Sequence, residues 1–309
     1  MKSLRFLLII ISFSALLAVR PAARAAVAQD GQIVVNVERV NILFSVKDNK
    51  GKLITNLKKS DFKLTEDGKP QTIERVNLDT DLPLHIAMLM DRSNTVLDQL
   101  KLEKESAIEF LNKTLKHGKD KAMLIGFDTG VDLLADFTDN VDKLSSQILQ
   151  IRAGGSTAAF DALYIATNNH LAKQPSRRMI VLISDGQDNS SRKTLDEALL
   201  VAQRNEVVVY AINPNIPGST SGSDPKERDK GDKALKQLTE STGGRAYFPK
   251  KLDDLETGFQ SIGEEMRAQY SMIYSPTNKE RDGTFRRYKI EPINKSYKVS
   301  QPTGYWASR

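Results

Sequence analysis

Between residues 80 and 268, near-continuous apolar runs take turns with amphipathic stretches, and this alternation narrows the possible folds more than any other feature of the chain. Residues 82–90 (LPLHIAMLM), 179–184 (MIVLIS) and 207–212 (VVVYAI) are short and have no polar face. Strands of this kind must be covered on both sides. Helical spacing separates them. Leu97, Leu100, Ile108, Leu111 and Leu115 share a face within 96–115, and Leu252, Leu255, Phe259, Ile262 and Met266 recur at three- and four-residue steps. Further helical patterns cover 158–172 and 194–205. KAMLIGF and VDLLADF flank Asp128-Thr129-Gly130 and read as a hairpin. The expectation is an α/β fold, doubly wound, with a mostly parallel sheet.

The flanks read as β. Val40, Ile42, Phe44 and Val46 are apolar at every second position, and Ile33, Val35 and Val37 follow the opposite parity. A bulge or turn is therefore expected near Glu38 and Arg39. DNKG (48–51) and EDGK (66–69) carry turn chemistry. After residue 269 come YSMIYSP, TFRRYKIEPI and YKV, with KERDG as a turn. A few orphan strands cannot bury a core alone. The economical arrangement pairs 29–79 with 269–309 in a small β-domain, with the α/β domain of 80–268 inserted. The alternative is two separate β extensions lying on the α/β body. Residues 214–231, rich in Pro, Gly and Ser, read as a surface loop.

Residues 1–28 read as a signal peptide rather than fold. Lys2 and Arg5 precede an apolar run too short to span a bilayer, and Ala26 and Ala28 sit at the small positions of a cleavage site. The protein is thus expected to be exported (periplasm, cell surface or medium), with no transmembrane segment after cleavage. The leader holds four positive charges and no acid, so its removal lowers the net charge from +6 to +2. That small excess gives no reason to expect nucleic acid as a partner. With no cysteine and only His85, His117 and His170, thiolate sites, disulfides and histidine-rich zinc sites are excluded or poorly supplied.

Polar clusters follow three of the apolar strands or the loops between them. The first holds Asp91, Ser93 and Thr95, the second Thr157 in GGSTAAFDAL, the third Asp185 in VLISDGQDNS. Ligands of open α/β sheets bind beyond the carboxyl ends of the strands, so these clusters are expected at one edge. All five residues are hard oxygen donors, suited to Mg²⁺, Mn²⁺ or Ca²⁺. With two carboxylates among the five, a divalent ion would keep electrophilic character and a position for water or an incoming carboxylate. Each piece also has a purely structural reading: Thr95 and Thr157 as helix caps, Asp185-Gly186 as a turn. Asp188 reads as a cap or outer acid, and His85 as a core residue.

Taken together, Asp91-x-Ser93-x-Thr95, Thr157 and Asp185 resemble the metal-ion-dependent adhesion site of von Willebrand factor type A (VWA) domains. The resemblance covers about 82–266. The flanking SDFKLTEDGKPQTI, QYSMIYSP, DGTFRRYKI and TGYWA are similar to a secreted bacterial VWFA-related family of acidobacterial type. It implies a Rossmann-like fold, an Mg²⁺-type ion held by those five residues, and a protein partner that offers an Asp or Glu carboxylate. It also implies a last helix, 252–266, that moves between affinity states. Thr95 stands where the family has serine, and its extra methyl bears on affinity and on the choice of ion. Arg92 and Asn94 occupy the variable positions and are expected to face the partner.

Two other classes stay open. A haloacid-dehalogenase-like phosphohydrolase would use Asp91 as nucleophile, but needs an acid where Ser93 stands. A secreted scaffold would use the ion only to stiffen its loops. No G-x-x-x-x-G-K-[ST], G-x-S-x-G or H-E-x-x-H occurs. The reading favoured is a non-catalytic, exported, metal-dependent recognition module.

Overall fold

Among the described residues, four strands come first, then a mixed α/β part, then four more strands. The computed structural model describes residues 39–78, 81–175, 177–216, 225–251 and 253–309. The expected signal peptide and the expected strand through Ile33, Val35 and Val37 lie outside the described residues. In chain order the first strands are β1 (Val40–Lys47), β2 (Phe62–Glu66), β3 (Lys69–Gln71) and β4 (Ile73–Leu78). The central part holds β5 (His85–Asp91), α1 (Leu100–Thr114), β6 (Lys121–Phe127), β7 (Val131–Thr138), α2 (Val141–Gln150) and α3 (Ala159–Ile165). It continues with β8 (Arg178–Ile183), α4 (Leu195–Arg204), β9 (Val208–Ile212), α5 (Pro225–Ser241), β10 (Ala246–Tyr247) and α6 (Asp253–Arg267). The chain closes with β11 (Tyr270–Tyr274), β12 (Phe285–Pro292), β13 (Lys298–Ser300) and β14 (Gly304–Trp306).

The central sheet runs β10-β9-β8-β5-β6-β7. Every pair is parallel except β6 with β7, the hairpin at the edge. Its strands are buried on both faces for a readable reason. Ile86, Met88 and Met90 of β5 point into one core with α1, α2 and α6, while Ala87 and Leu89 point into the other with α3, α4 and α5. The fold is a doubly wound α/β sandwich. The strand order reverses beside β5, whose neighbours are β6 on one side and β8 on the other. That reversal opens a crevice at the carboxyl ends of β5 and β8.

The terminal strands form two four-stranded sheets, β13-β1-β11-β4 and β14-β12-β2-β3. β1 pairs antiparallel with β11, Val40 opposite Tyr274 and Phe44 opposite Tyr270. β2 pairs with β12. Their shared core contains Ile42, Phe44, Phe62, Leu64, Tyr270 and Ile290. The Phe44 ring stacks on Tyr270 and meets Phe62 edge-on, both at 5.3 Å between centroids.

Only Ala268 and Gln269 separate α6 from β11, and the last turn of α6 is tied to both halves of the molecule. Buried Glu265 accepts from Ser45 Oγ at 2.6 Å and pairs with Lys47 at 2.5 Å, both on β1. Arg267 pairs with Asp120 and donates to Thr114 O at 2.8 Å, while Arg177 donates to Met266 O.

Several local expectations differ from the structure. The helix expected over 96–115 begins at Leu100, after a short 3₁₀ turn at Asn94–Val96. The pattern over 158–172 is α-helical only to Ile165, then passes through a π turn, Ala166–His170. The expected surface loop of 214–231 is cut short at its C-terminal end and is not wholly on the surface. Asn215 is buried, and α5 starts at Pro225, where a missing N–H costs nothing. Its buried stripe is only Gly231, Ala234, Leu235, Leu238 and Thr239, easily lost in so polar a segment. α2 escaped the periodicity too, because Leu144 and Ile148 are its only buried residues. No helix among the described residues is long and apolar enough to cross a membrane.

Candidate metal centre

Asp91 is the last residue of β5, and its carboxylate is wholly buried at the crevice. Ser93 N donates to Asp91 Oδ1 at 2.9 Å, a local turn that swings the first loop over the strand end. Ser184, one residue beyond β8, donates its hydroxyl to Asp91 Oδ2 at 2.7 Å. Ser93 Oγ and Thr95 Oγ1 lie 2.8 Å apart. Asp185 follows Ser184; its Oδ1 accepts from Gln187 N at 3.0 Å and its Oδ2 from Asn215 Nδ2 at 3.0 Å. The Thr95 hydroxyl also lies close enough to Asp185 to favour its charged form.

Backbone bonds fasten the three loops together. Gly154 N donates to Arg92 O at 2.7 Å, and Asn94 N to Gly155 O at 3.2 Å. Asn189 N and Ser190 N both donate to Thr157 O, while Thr157 N donates to Asn189 Oδ1. Asp188 acts as a cap: Oδ2 accepts from Phe160 N at 2.9 Å at the start of α3. α5 presses closely on the third loop. A Cβ on Gly186, at φ +75°, would fall 2.4 Å from Gly231 O, so both positions require glycine.

The electrostatics of this crevice are dominated by two carboxylates held away from water. Burial pushes Asp91 up to about 7; hydrogen bonds from Ser184 and Ser93 oppose this, and the charge of Asp185 adds to it. Burial also raises Asp185. Thr157 Oγ1 is buried and has no hydrogen-bond partner, an arrangement that is costly unless something else satisfies the hydroxyl. Among the described residues, no three acidic or histidine side chains form a metal cage by themselves. The hydroxyls would have to supply the remaining ligands. The set of oxygen donors fits a hard divalent ion.

Comparisons with known proteins bear on the fold around this crevice. The model of the von Willebrand factor type A domain matches residues 86–187, a span that runs from β5 through all three loops. The chain carries a VWA domain. Human von Willebrand factor A domain-containing protein 3B is 26% identical over 191 residues, which is 60% of this chain and 13% of that protein. The chain thus spans about an eighth of the length of the curated relative it matches. Proximal thread matrix protein 1 of the mussel byssus, in two solved structures, aligns with TM-scores of 0.50 and 0.51. The alignments cover 65% and 66% of this chain and 50% of the mussel one, at 13% and 14% identity, a likeness of fold alone. In the second of these the MIDAS motif is occupied by zinc.

The VWA domain brings Asp91, Ser93, Thr95, Thr157 and Asp185 to one crevice, but treats the two variable positions differently. Asn94 is exposed. Arg92 turns to the β6–β7 hairpin, pairing with Asp128 at 2.9 Å and with Asp132. Two nearby acids hold its charge, so its visible task is to pin that turn. One further residue was missed altogether. Glu103, on the first turns of α1, is fully buried, and neither carboxylate oxygen has a partner. Burial and then the charges of Asp91 and Asp185 push it well above the usual carboxylate range. A signal was present: Glu103 lies three residues after Leu100 and four before Ala107, on the face those residues bury.

Proposed function

We propose that this is an exported, non-catalytic recognition protein whose VWA domain holds a divalent ion at the crevice of β5 and β8 and uses it to capture a carboxylate of a protein partner. Asp91, Ser93, Thr95, Thr157 and Asp185 would hold the ion directly or through water. Mg²⁺ is the expected ion, with Mn²⁺ or Ca²⁺ as alternatives. The bound ion would supply an electrophilic position for the partner's Asp or Glu.

The observation that carries this reading is the buried, unpartnered Thr157 hydroxyl, on a loop bonded to those that follow the buried Asp91 and Asp185. A buried hydroxyl with no partner, and buried carboxylates whose like charges repel, are costly unless a cation joins them. The chain's own groups prepare the rest. Ser184 and Ser93 orient Asp91, Asn215 and Gln187 orient Asp185, and the Arg92 pairs fix the adjoining hairpin. At the rim, Asn94 and Leu97 are exposed, and Leu97 presents 59% of its surface. An apolar side chain in that place would give a partner contact area around its carboxylate. The phosphohydrolase reading is disfavoured because Ser93, committed to Thr95 and lacking an ionisable proton near neutrality, fills the place of the second acid.

Calorimetric titration of the purified protein with Mg²⁺, Mn²⁺ and Ca²⁺, beside Asp91→Ala, tests the ion site. One saturable site lost in the variant is the expected result. Absence of binding by a folded wild-type protein would remove the reading. Hydrolysis of a generic phosphate ester, abolished in Asp91→Asn, would replace it with the enzyme reading.

A further inference from the structure

We propose that Glu103 is a third carboxylate of this ion site, acting on the ion through its water ligands, so that the ion stays bound without a partner. The inference rests on the ion-site reading above and adds to it a residue and a consequence.

Glu103 is wholly enclosed, and its two oxygens meet no donor. Its backbone N–H is already used, donating to Gln99 O at 3.0 Å. A carboxyl in this position is poorly served in either form. Ionised, it lacks a counter-charge, and the charges it feels are those of Asp91 and Asp185, which are of like sign. Protonated, its hydroxyl lacks an acceptor. A favourable helix dipole near the start of α1 offsets only a small part of such a cost.

Glu103 is not alone. Gln99 stands one turn earlier on the same face of the helix, and its Oε1 is also buried without a partner. With Thr157 Oγ1, the start of α1 and the second loop therefore contain four buried oxygen atoms that want positive charge or donated protons. Among the described residues, no cation is bonded to them. Lys104 on the same helix is turned to Leu149 O and Ile151 O, and Lys101 is exposed. A single species that satisfies several oxygen acceptors at once is a hard cation with its hydration water.

The three carboxylates do not form a cage by themselves, so the role assigned to Glu103 is toward the ion's water ligands. Carboxylates in such outer positions raise ion affinity by orienting and polarising what the ion holds. A third negative charge also changes the character of the site. Two carboxylates neutralise a divalent ion; three retain it, because affinity rises with the charge count of the site. The ion is then a resident of the VWA domain.

The test uses the purified full chain and compares wild type, Asp91→Ala and Glu103→Gln. Affinities for Mg²⁺ and Mn²⁺ are measured by calorimetry, and melting temperatures in chelator and in excess ion. The expected result for Glu103→Gln is about tenfold or greater loss of ion affinity, with a melting temperature in chelator equal to or above wild type. Equal affinity in wild type and Glu103→Gln, with binding lost in Asp91→Ala, overturns the role of Glu103 and leaves the ion site standing. No ion binding by wild type overturns both. Glu103→Met, similar in volume and apolar, makes the same comparison if the glutamine variant fails to fold. A melting temperature in chelator well below wild type in both variants assigns Glu103 to the fold and counts against the proposal.

Discussion

Ser184 Oγ donates to Asp91 Oδ2 at 2.7 Å, joining the ends of β5 and β8 where the strand order reverses. The same hydroxyl accepts from Gly186 N at 3.1 Å, so it fixes Asp91 and the loop bearing Asp185 together. Ser184→Ala leaves a buried carboxylate short of one donor and a backbone N–H without its acceptor. The expected cost is about 1–3 kcal/mol of stability and about tenfold in ion affinity. Urea denaturation and calorimetry measure the two separately. An unchanged affinity would mean that the Asp91 orientation does not depend on Ser184.

Thr157→Val gives opposite signs with and without ion. The valine keeps the shape and removes a buried hydroxyl that has no partner. In chelator the variant is expected to be as stable as wild type or more so, by up to about 1–3 kcal/mol. The rise in melting temperature caused by Mg²⁺ should shrink or vanish. A variant that loses stability in chelator would show that the hydroxyl serves the loop itself.

Asp91 gives the pH dependence its direction. Burial raises it to about 7, above its value in an unfolded chain, so the folded, ion-free protein takes up the proton more readily. The contribution of this group to stability is therefore present at low pH and is lost as pH rises through about 7. Ion binding has the opposite sign, because the ion must displace the proton. Melting temperatures across this range should fall with pH in chelator and hold steady in excess Mg²⁺. An ion-induced shift as large in mild acid as above neutrality would contradict this.

The Lys47–Glu265 pair, 2.5 Å long and buried, links β1 to α6. Lys47→Met leaves the Glu265 charge buried with Ser45 and, at 3.9 Å, Arg245 as remaining partners. The expected loss is about 3–5 kcal/mol, much of it recovered when Glu265→Met is added. Urea midpoints of the two variants check this. A loss below ~1 kcal/mol in the single variant would mean that water reaches Glu265.

Legibility in the sequence followed the strength of local periodicity. β5, β8 and β9 announced themselves because strands buried on both faces cannot afford a polar residue until they end. The hydroxyl-and-acid clusters beyond β5 and β8 were visible for the same reason. α5 and α2 were obscure because each buries a narrow stripe within a mostly polar segment. The Arg92 pairs were hidden because its partners, Asp128 and Asp132, lie far along the chain and reach it only when β6 pairs with β5. Glu103 was hidden by type: an acid on a helix reads as solvated until packing encloses it.

The sequence by itself determined the doubly wound fold class, the three loops and the residue types that could hold a hard ion, since these depend on near-neighbour pattern and on side-chain chemistry. The tertiary structure decided what those groups feel. It brought Ser184 onto Asp91, Asn215 onto Asp185 and α1 beneath both, and it left Thr157, Gln99 and Glu103 without partners. Desolvation and long-range pairing are properties of enclosure, and no local stretch of sequence carries them.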